Sequence, residues 1–127
     1  NFAYTYSNYT KDIVESSNEL NKTIIDVAKE MNIDKIIHIG TLATVDVFGP
    51  YIDYQRVVDR IPKSYHVLGE DMESFALCHI ANLMNKEATS IVTVVNSKYS
   101  DKVLTTKERE TSLNNMITLA LKVIIKD

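Results

Sequence analysis

Two stretches decide how this chain reads: Gly69-Glu70-Asp71-Met72-Glu73-Ser74, and Thr105-Thr106-Lys107-Glu108-Arg109-Glu110 with Leu113-Asn114-Asn115-Met116-Ile117 behind it. The first sets Glu70, Asp71 and Glu73 close together where a glycine is expected to open an apolar helix. The second runs an acid/base cluster into another apolar helix. Between them lies Thr89 to Val95, a β-branched run ending in Asn96. A run apolar nearly throughout is what a strand covered on both faces requires. Acid-rich turn, helix, buried strand, polar strand end, helix: that order gathers polar groups at one rim of a sheet. Such a rim is a small-molecule site.

Working outward, the remaining punctuation is sparse, with only 3 glycines and 2 prolines. Ser16 and Glu19 have capping-box spacing, and Leu20, Ile24, Val27 and Met31 make one helical stripe behind them. Asn32 fits a left-handed residue after that helix. Lys35 to Gly40 reads as a strand, with Ile36, Ile37 and Ile39 apolar around His38. Gly49-Pro50 marks a turn, and Tyr54, Val57, Val58 and Ile61 form a short helical patch ended by Pro62. Met72, Phe75, Ala76, His79, Ile80 and Leu83 define the next helix face. Thr105 and Glu108 predict a second capping box, and Leu113, Met116, Ile117, Ala120 and Ile124 carry the last helix. A further strand is possible in Phe2 to Tyr6.

Helices alternating with buried strands imply an α/β layer architecture. Two or three parallel strands are too few to stand alone, so the sheet is expected to be completed by residues outside this chain.

Composition narrows the partners. The 127 residues suffice for one modest domain. A net charge of −3 with no basic cluster argues against nucleic acid. No apolar run approaches the ~20 residues that cross a bilayer, and no membrane partner is expected. The single cysteine, Cys78, excludes an intramolecular disulfide and reads as a buried, inert thiol. Asn8-Tyr9-Thr10 and Asn21-Lys22-Thr23 match a glycosylation sequon, but no secretion signal accompanies them, and a cytoplasmic location is expected. His38, His66 and His79 lack metal-ligand spacing, so no metal site is expected; His79 reads as a packed residue.

The ordered series of residues resembles a known family. Leu68-Gly69 before Met72-Glu73, the Thr93-Val94 strand end, and Glu108-Arg109 with Asn114 and Met116-Ile117 behind are similar to the C-terminal part of hexameric bacterial-type purine nucleoside phosphorylases. These belong to the wider nucleoside phosphorylase and nucleosidase superfamily. Ile39-Gly40, with Asp46 and Phe48 further on, matches the preceding strand and loop. The resemblance covers residues 18 to 127. It implies that residues 1–127 are part of a single phosphorylase-like domain, the C-terminal portion of a three-layer α/β/α fold. Family members are about twice this length. Their glycine-rich phosphate-binding segment lies in the N-terminal half, which would have to complete this fold.

The resemblance also assigns chemistry. Cleaving a purine N-glycosidic bond builds positive charge on the ribose and negative charge on the base. Glu73 falls at the ribose-binding glutamate, since one carboxylate accepts hydrogen bonds from two adjacent hydroxyls. By itself it reads as a solvated first-turn glutamate favoured by the helix dipole. Met72 resembles the methionine packed on the ribose, although periodicity alone would put it in a core. Phe48 resembles the aromatic stacked on the base, and a core plug is the other reading. Arg109 resembles the arginine that polarises the catalytic acid, against a surface ion pair with Glu108 or Glu110.

At two places the chain departs from the family pattern. Val95-Asn96 stands where the bacterial-type enzymes carry Ser-Asp. Asparagine cannot act as a general acid, but its amide can hydrogen-bond N7 or a 6-oxo group; the related trimeric phosphorylases use asparagine against 6-oxopurines. Glu70-Asp71 stands where an apolar residue and a glutamate are usual, which brings a carboxylate near the base pocket. The implied site is therefore Asn96 and Arg109 for catalysis, with Phe48, Glu70, Asp71, Met72, Glu73 and Val95 binding substrate. No cofactor is expected beyond inorganic phosphate as co-substrate, and a homo-oligomer, hexameric by resemblance, is implied. Two rivals remain: a methylthioadenosine-type nucleosidase that attacks with water, and a non-catalytic scaffold that has kept the fold.

Overall fold

The computed structural model describes residues 10–47, 51, 53–97 and 99–126. They group into two compact units. The first draws on residues 38–88 with the described residues before 16; the second draws on 16–37 and the described residues from 89 onward. The anticipated strand at Phe2 to Tyr6 and the turn at Gly49-Pro50 lie outside the described residues.

In the first unit, β1 (Thr41–Thr44) pairs in parallel with β2 (Val67–Asp71). Leu42 faces Gly69, Ala43 faces Glu70 and Thr44 faces Asp71; a bulge between Thr41 and Leu42 leaves Leu68 over. Gly40 makes room for that extra side chain, because a Cβ there would come within 2.5 Å of Leu68 Cδ1. The crossover carries α1 (Tyr54–Val58), capped by the Asp53 carboxylate on the Arg56 amide, and a short 3₁₀ turn at Lys63–Tyr65. After β2 comes α2 (Ser74–Leu83). It ends in a Schellman motif: Asn85 is left-handed at φ 52°, and Lys86 N–H donates to Ala81 O at 2.9 Å.

In the second unit, α3 (Asn18–Glu30) precedes β1 in sequence and packs on α5 (Asn114–Lys126). Val27, Ala28, Leu119 and Val123 are buried between them, with Ile24, Met31, Ile33, Ile37 and Ile91 packed around. Each fully buried Leu or Val here stabilises by roughly 1.5–3 kcal/mol. Asn32, at φ 57°, closes α3 as the spacing anticipates, with Ile33 N–H donating to Ala28 O at 3.0 Å. A short antiparallel pair, β3 (Asn96–Ser97) with β4 (Ser100–Val103), leads into α4 (Thr106–Ser112).

The α/β class stands, but several elements sit elsewhere than the sequence pattern predicts. Gly69 does not open a helix; it is the middle of β2, and the helix starts at Ser74. A glycine with extended neighbours is as compatible with a strand as with a turn, and the β1 ladder decides. Lys35 to Gly40 is not the strand. Its first residues form a 3₁₀ turn at Asp34–Ile36, and pairing begins only at Thr41. Thr89 to Val95 carries no ladder, and Val92 and Val94 are 51% and 69% exposed rather than covered on both faces. A ladder needs a neighbouring strand, and the described residues offer this segment none. Ser17, not Ser16, caps α3, accepting from the Leu20 amide at 3.2 Å, while Glu19 pairs with Lys22.

Candidate functional site

The carboxyl ends of β1 and β2 lie side by side, and the acid-rich stretch turns there into α2. Open α/β sheets bind ligands just outside such strand ends. Asp71 organises the turn. Its Oδ1 accepts the Thr44 hydroxyl at 2.9 Å, and its Oδ2 accepts the Ser74 N–H at 2.8 Å and also the Ser74 hydroxyl. Thr44 Oγ1 in turn accepts the Phe75 N–H at 3.0 Å, and Val45 N–H donates to Asp71 O. Both strands are thus tied to the first turn of the helix through one carboxylate and one hydroxyl. Thr44 was not singled out by the sequence pattern, because nothing in a Thr-Leu-Ala-Thr strand marks which hydroxyl will meet an aspartate 27 residues away.

That turn carries Met72 and Glu73. Met72 is 46% exposed, so it is not a core residue here. Glu73 is the residue before α2, exposed, with Oε2 accepting the Met72 amide at 3.3 Å and no side-chain cap bond to the helix. Glu70 is exposed on β2. The first unit therefore brings Glu70, Asp71, Met72 and Glu73 together, with Asp71 committed to local hydrogen bonds. Phe48 lies outside the described residues.

One helical turn into α2, Cys78 and His79 are buried, and His79 stacks on Phe75 with ring centroids 6.1 Å apart. Burial, with the nearby Asp71 charge second, pushes the Cys78 thiol above its ordinary pKa. Both residues are packing groups, as the apolar helix face implies.

Beside the end of β1 opens a cleft of about 510 Å³. Val45, Val47 and Val57 give it apolar walls, and Asp46, Asp53, Arg56 and Arg60 supply charge of both signs. Sequence reasoning missed this feature. Its only trace was the four-residue spacing of the two arginines across a helical patch, which looks like any solvated face.

The second unit assembles the other expected residues around the β3–β4 pair. Asn96 faces Val103 in the ladder, and the Leu104 N–H donates to Val95 O at 3.0 Å. Arg109 reaches back from α4, its Nε donating to Leu104 O at 3.0 Å. Val95 and Arg109 are thereby linked through Leu104, with Asn96 next to Val95 in the chain and opposite Val103. The capping box at the start of α4 is present in full: Glu108 accepts the Thr105 N–H and hydroxyl at 2.8 Å each, and Thr105 Oγ1 accepts the Glu108 N–H at 3.2 Å. Those Thr105 donors, backbone first, hold the Glu108 carboxyl below the ordinary glutamate range, with Lys102 adding to it. Among the described residues no group of three ligating side chains could hold a metal ion, and no helix is long and apolar enough to cross a membrane.

Comparison with known proteins places this arrangement. The DeoD-type purine nucleoside phosphorylase of Buchnera aphidicola from Acyrthosiphon pisum, strain Tuc7, is 35% identical over 102 residues, which cover 80% of this chain and 42% of that relative. The DeoD-type enzyme of Oceanobacillus iheyensis is 35% identical over 101 residues, 78% of this chain and 42% of the relative. That of Bacillus cytotoxicus is 32% identical over 110 residues, 84% and 45% respectively. The chain spans less than half the length of the curated relatives it matches. The family model of the phosphorylase superfamily matches residues 6–126, nearly the whole sequence. With an α/β arrangement, polar groups at parallel strand ends and this match, the chain belongs to the phosphorylase superfamily.

Proposed function

We propose that this chain supplies the ribose- and base-binding part of a purine nucleoside phosphorylase, which converts purine (deoxy)ribonucleosides and inorganic phosphate to free base and (deoxy)ribose 1-phosphate in purine salvage. The observation that carries the reading is the similarity to DeoD-type relatives over about four-fifths of the chain, within a phosphorylase-superfamily match over residues 6–126 that contains both polar clusters. In this reaction the C1′–N9 bond breaks with its electron pair leaving on the purine, and a phosphate oxygen bonds C1′. Glu73 grips the ribose hydroxyls, and its carboxylate also favours positive charge developing on the sugar. Met72 packs on the ribose, Phe48 stacks on the base, and Val95 and Glu70 border the base. Asp71 acts by holding the turn. Asn96 donates its amide to N7 or to a 6-oxygen as charge grows on the leaving purine, and Arg109 supports that end electrostatically.

In this reading residues 1–127 are part of one phosphorylase-like domain whose phosphate-binding groups lie in a preceding segment, in a cytoplasmic homo-oligomer needing no cofactor besides phosphate. The test is phosphorolysis of inosine by the full-length protein and its Glu73→Ala variant. Loss of hydrogen bonds to a charged group of roughly 1.5–3 kcal/mol lowers kcat/KM by about 10- to 100-fold per bond, with the circular dichroism spectrum unchanged. A variant as efficient as wild type overturns the ribose role. Asparagine at position 96 favours one other reading, a scaffold without turnover; wild type releasing no base with either phosphate or water would select it.

A further inference from the structure

The cleft beside β1 has a use that the nucleoside reading leaves unclaimed. It is a solvent-open cleft of about 510 Å³, and it lies where the carboxyl end of β1 leaves the sheet, the usual location for ligands in α/β folds. Arg56 lies in α1 and Arg60 in the turn that continues it, where the Arg60 amide donates to Val57 O at 3.1 Å. Residues four apart along a helical turn are neighbours, and like charges so placed repel unless something lies between them. Neither guanidinium makes an ion pair among the described residues.

Each guanidinium offers five donors and no acceptor in a planar fork matched to carboxylate and phosphate oxygens. Asp46 and Asp53 share the cleft, but among the described residues neither makes an ion pair with the two guanidiniums, and Asp53 Oδ1 accepts the Arg56 backbone amide at 3.2 Å. Two carboxylates with no third ligating side chain do not make a cation site. We propose that the cleft is an oxyanion subsite in which Arg56 and Arg60 together clasp a phosphate group, either free inorganic phosphate or the phosphate ester of a small organic molecule, against the valine walls. The inference does not depend on the nucleoside reaction, only on the cleft and its two donor-only side chains.

Arginine footprinting tests it in the full-length protein. Phenylglyoxal modification of Arg56 and Arg60 is followed by peptide mass spectrometry in a phosphate-free buffer, with inorganic phosphate, inosine 5′-monophosphate or inosine added. Saturable protection of both arginines by phosphate and by the nucleotide identifies the free ion as a sufficient ligand. Protection by the nucleotide alone identifies a phosphate ester. In Arg56→Gln, half-protection of Arg60 requires roughly 10-fold more ligand, as expected for losing a hydrogen-bonded charge partner. Equal protection by inosine means the cleft takes a base or sugar, and that overturns the proposal. So does modification at the same rate with and without phosphate and nucleotide. The footprint reads the cleft alone and inosine turnover reads the nucleoside site, so either conclusion can fail without the other.

Discussion

At the scale of single residues, Asn96 and Thr44 carry opposite lessons. Asn96 is exposed on a two-residue strand with its backbone paired to Val103, so its amide is available for a ligand. A side-chain amide donates to N7 or to a 6-oxygen but cannot deliver a proton. Inosine and guanosine are therefore expected to be better substrates of the full-length protein than adenosine. Asn96→Asp should extend the range toward adenosine by restoring a group that can protonate N7. Phosphorolysis rates of wild type and variant on inosine and adenosine check this, and a wild-type preference for adenosine rules the hydrogen-bond argument out. Thr44 shows the reverse case, a residue with no chemical signature whose hydroxyl both donates to Asp71 and accepts from Phe75. The turn bearing Glu73 depends on it.

At the scale of elements, α4 is a short helix whose surface is almost entirely exposed, so its start is held by capping rather than by burial. Thr105→Ala removes the hydroxyl that accepts from Glu108 N–H, a loss of about 1 kcal/mol for an N-cap. The Glu108 carboxylate is part of the same box, and its pKa is lowered in the fold. A lowered carboxyl contributes stability above its unfolded pKa and loses that contribution as pH falls through the folded value. Amide exchange at Glu108 and Arg109 is therefore expected to accelerate as pH drops through and below the ordinary glutamate range, after correction for the intrinsic pH dependence of exchange. In Thr105→Ala this added acceleration should shrink, and an identical profile in both proteins would sever Glu108 from the helix start. Because Arg109 anchors on Leu104 from this helix, its position is set by the same cap.

At the scale of the whole molecule, the described residues bury few apolar side chains. Val27, Ala28, Cys78, Leu119 and Val123 are the buried hydrophobics, while Ile36, Ile39, Val94, Ile124 and Ile125 are 64–84% exposed. The parallel sheet has two strands among the described residues, and a two-stranded sheet is marginal by itself. The 127 residues expressed alone are expected to self-associate with rising concentration and to bind a hydrophobic dye. Sedimentation and dye fluorescence measure both; a monomer with a sharp, cooperative unfolding transition would overturn this expectation.

What the sequence determined by itself was local. The α3 stripe of Ile24, Val27 and Met31 with Asn32 behind it, the Thr105–Glu108 box, and the buried Cys78 and His79 follow from side-chain periodicity and capping chemistry within a few residues, and the structure has all of them. The family was legible too, because an ordered series of residues survives independently of contacts. Tertiary structure alone decided which extended segments pair. Gly69 became the centre of a strand, Thr41 rather than Ile36 entered the ladder, and Thr89–Val95 joined no sheet among the described residues. Helix hydrogen bonds close within four residues and are written in the local pattern. Sheet hydrogen bonds join residues such as Thr44 and Asp71 that are far apart in sequence, and only the fold brings them within reach.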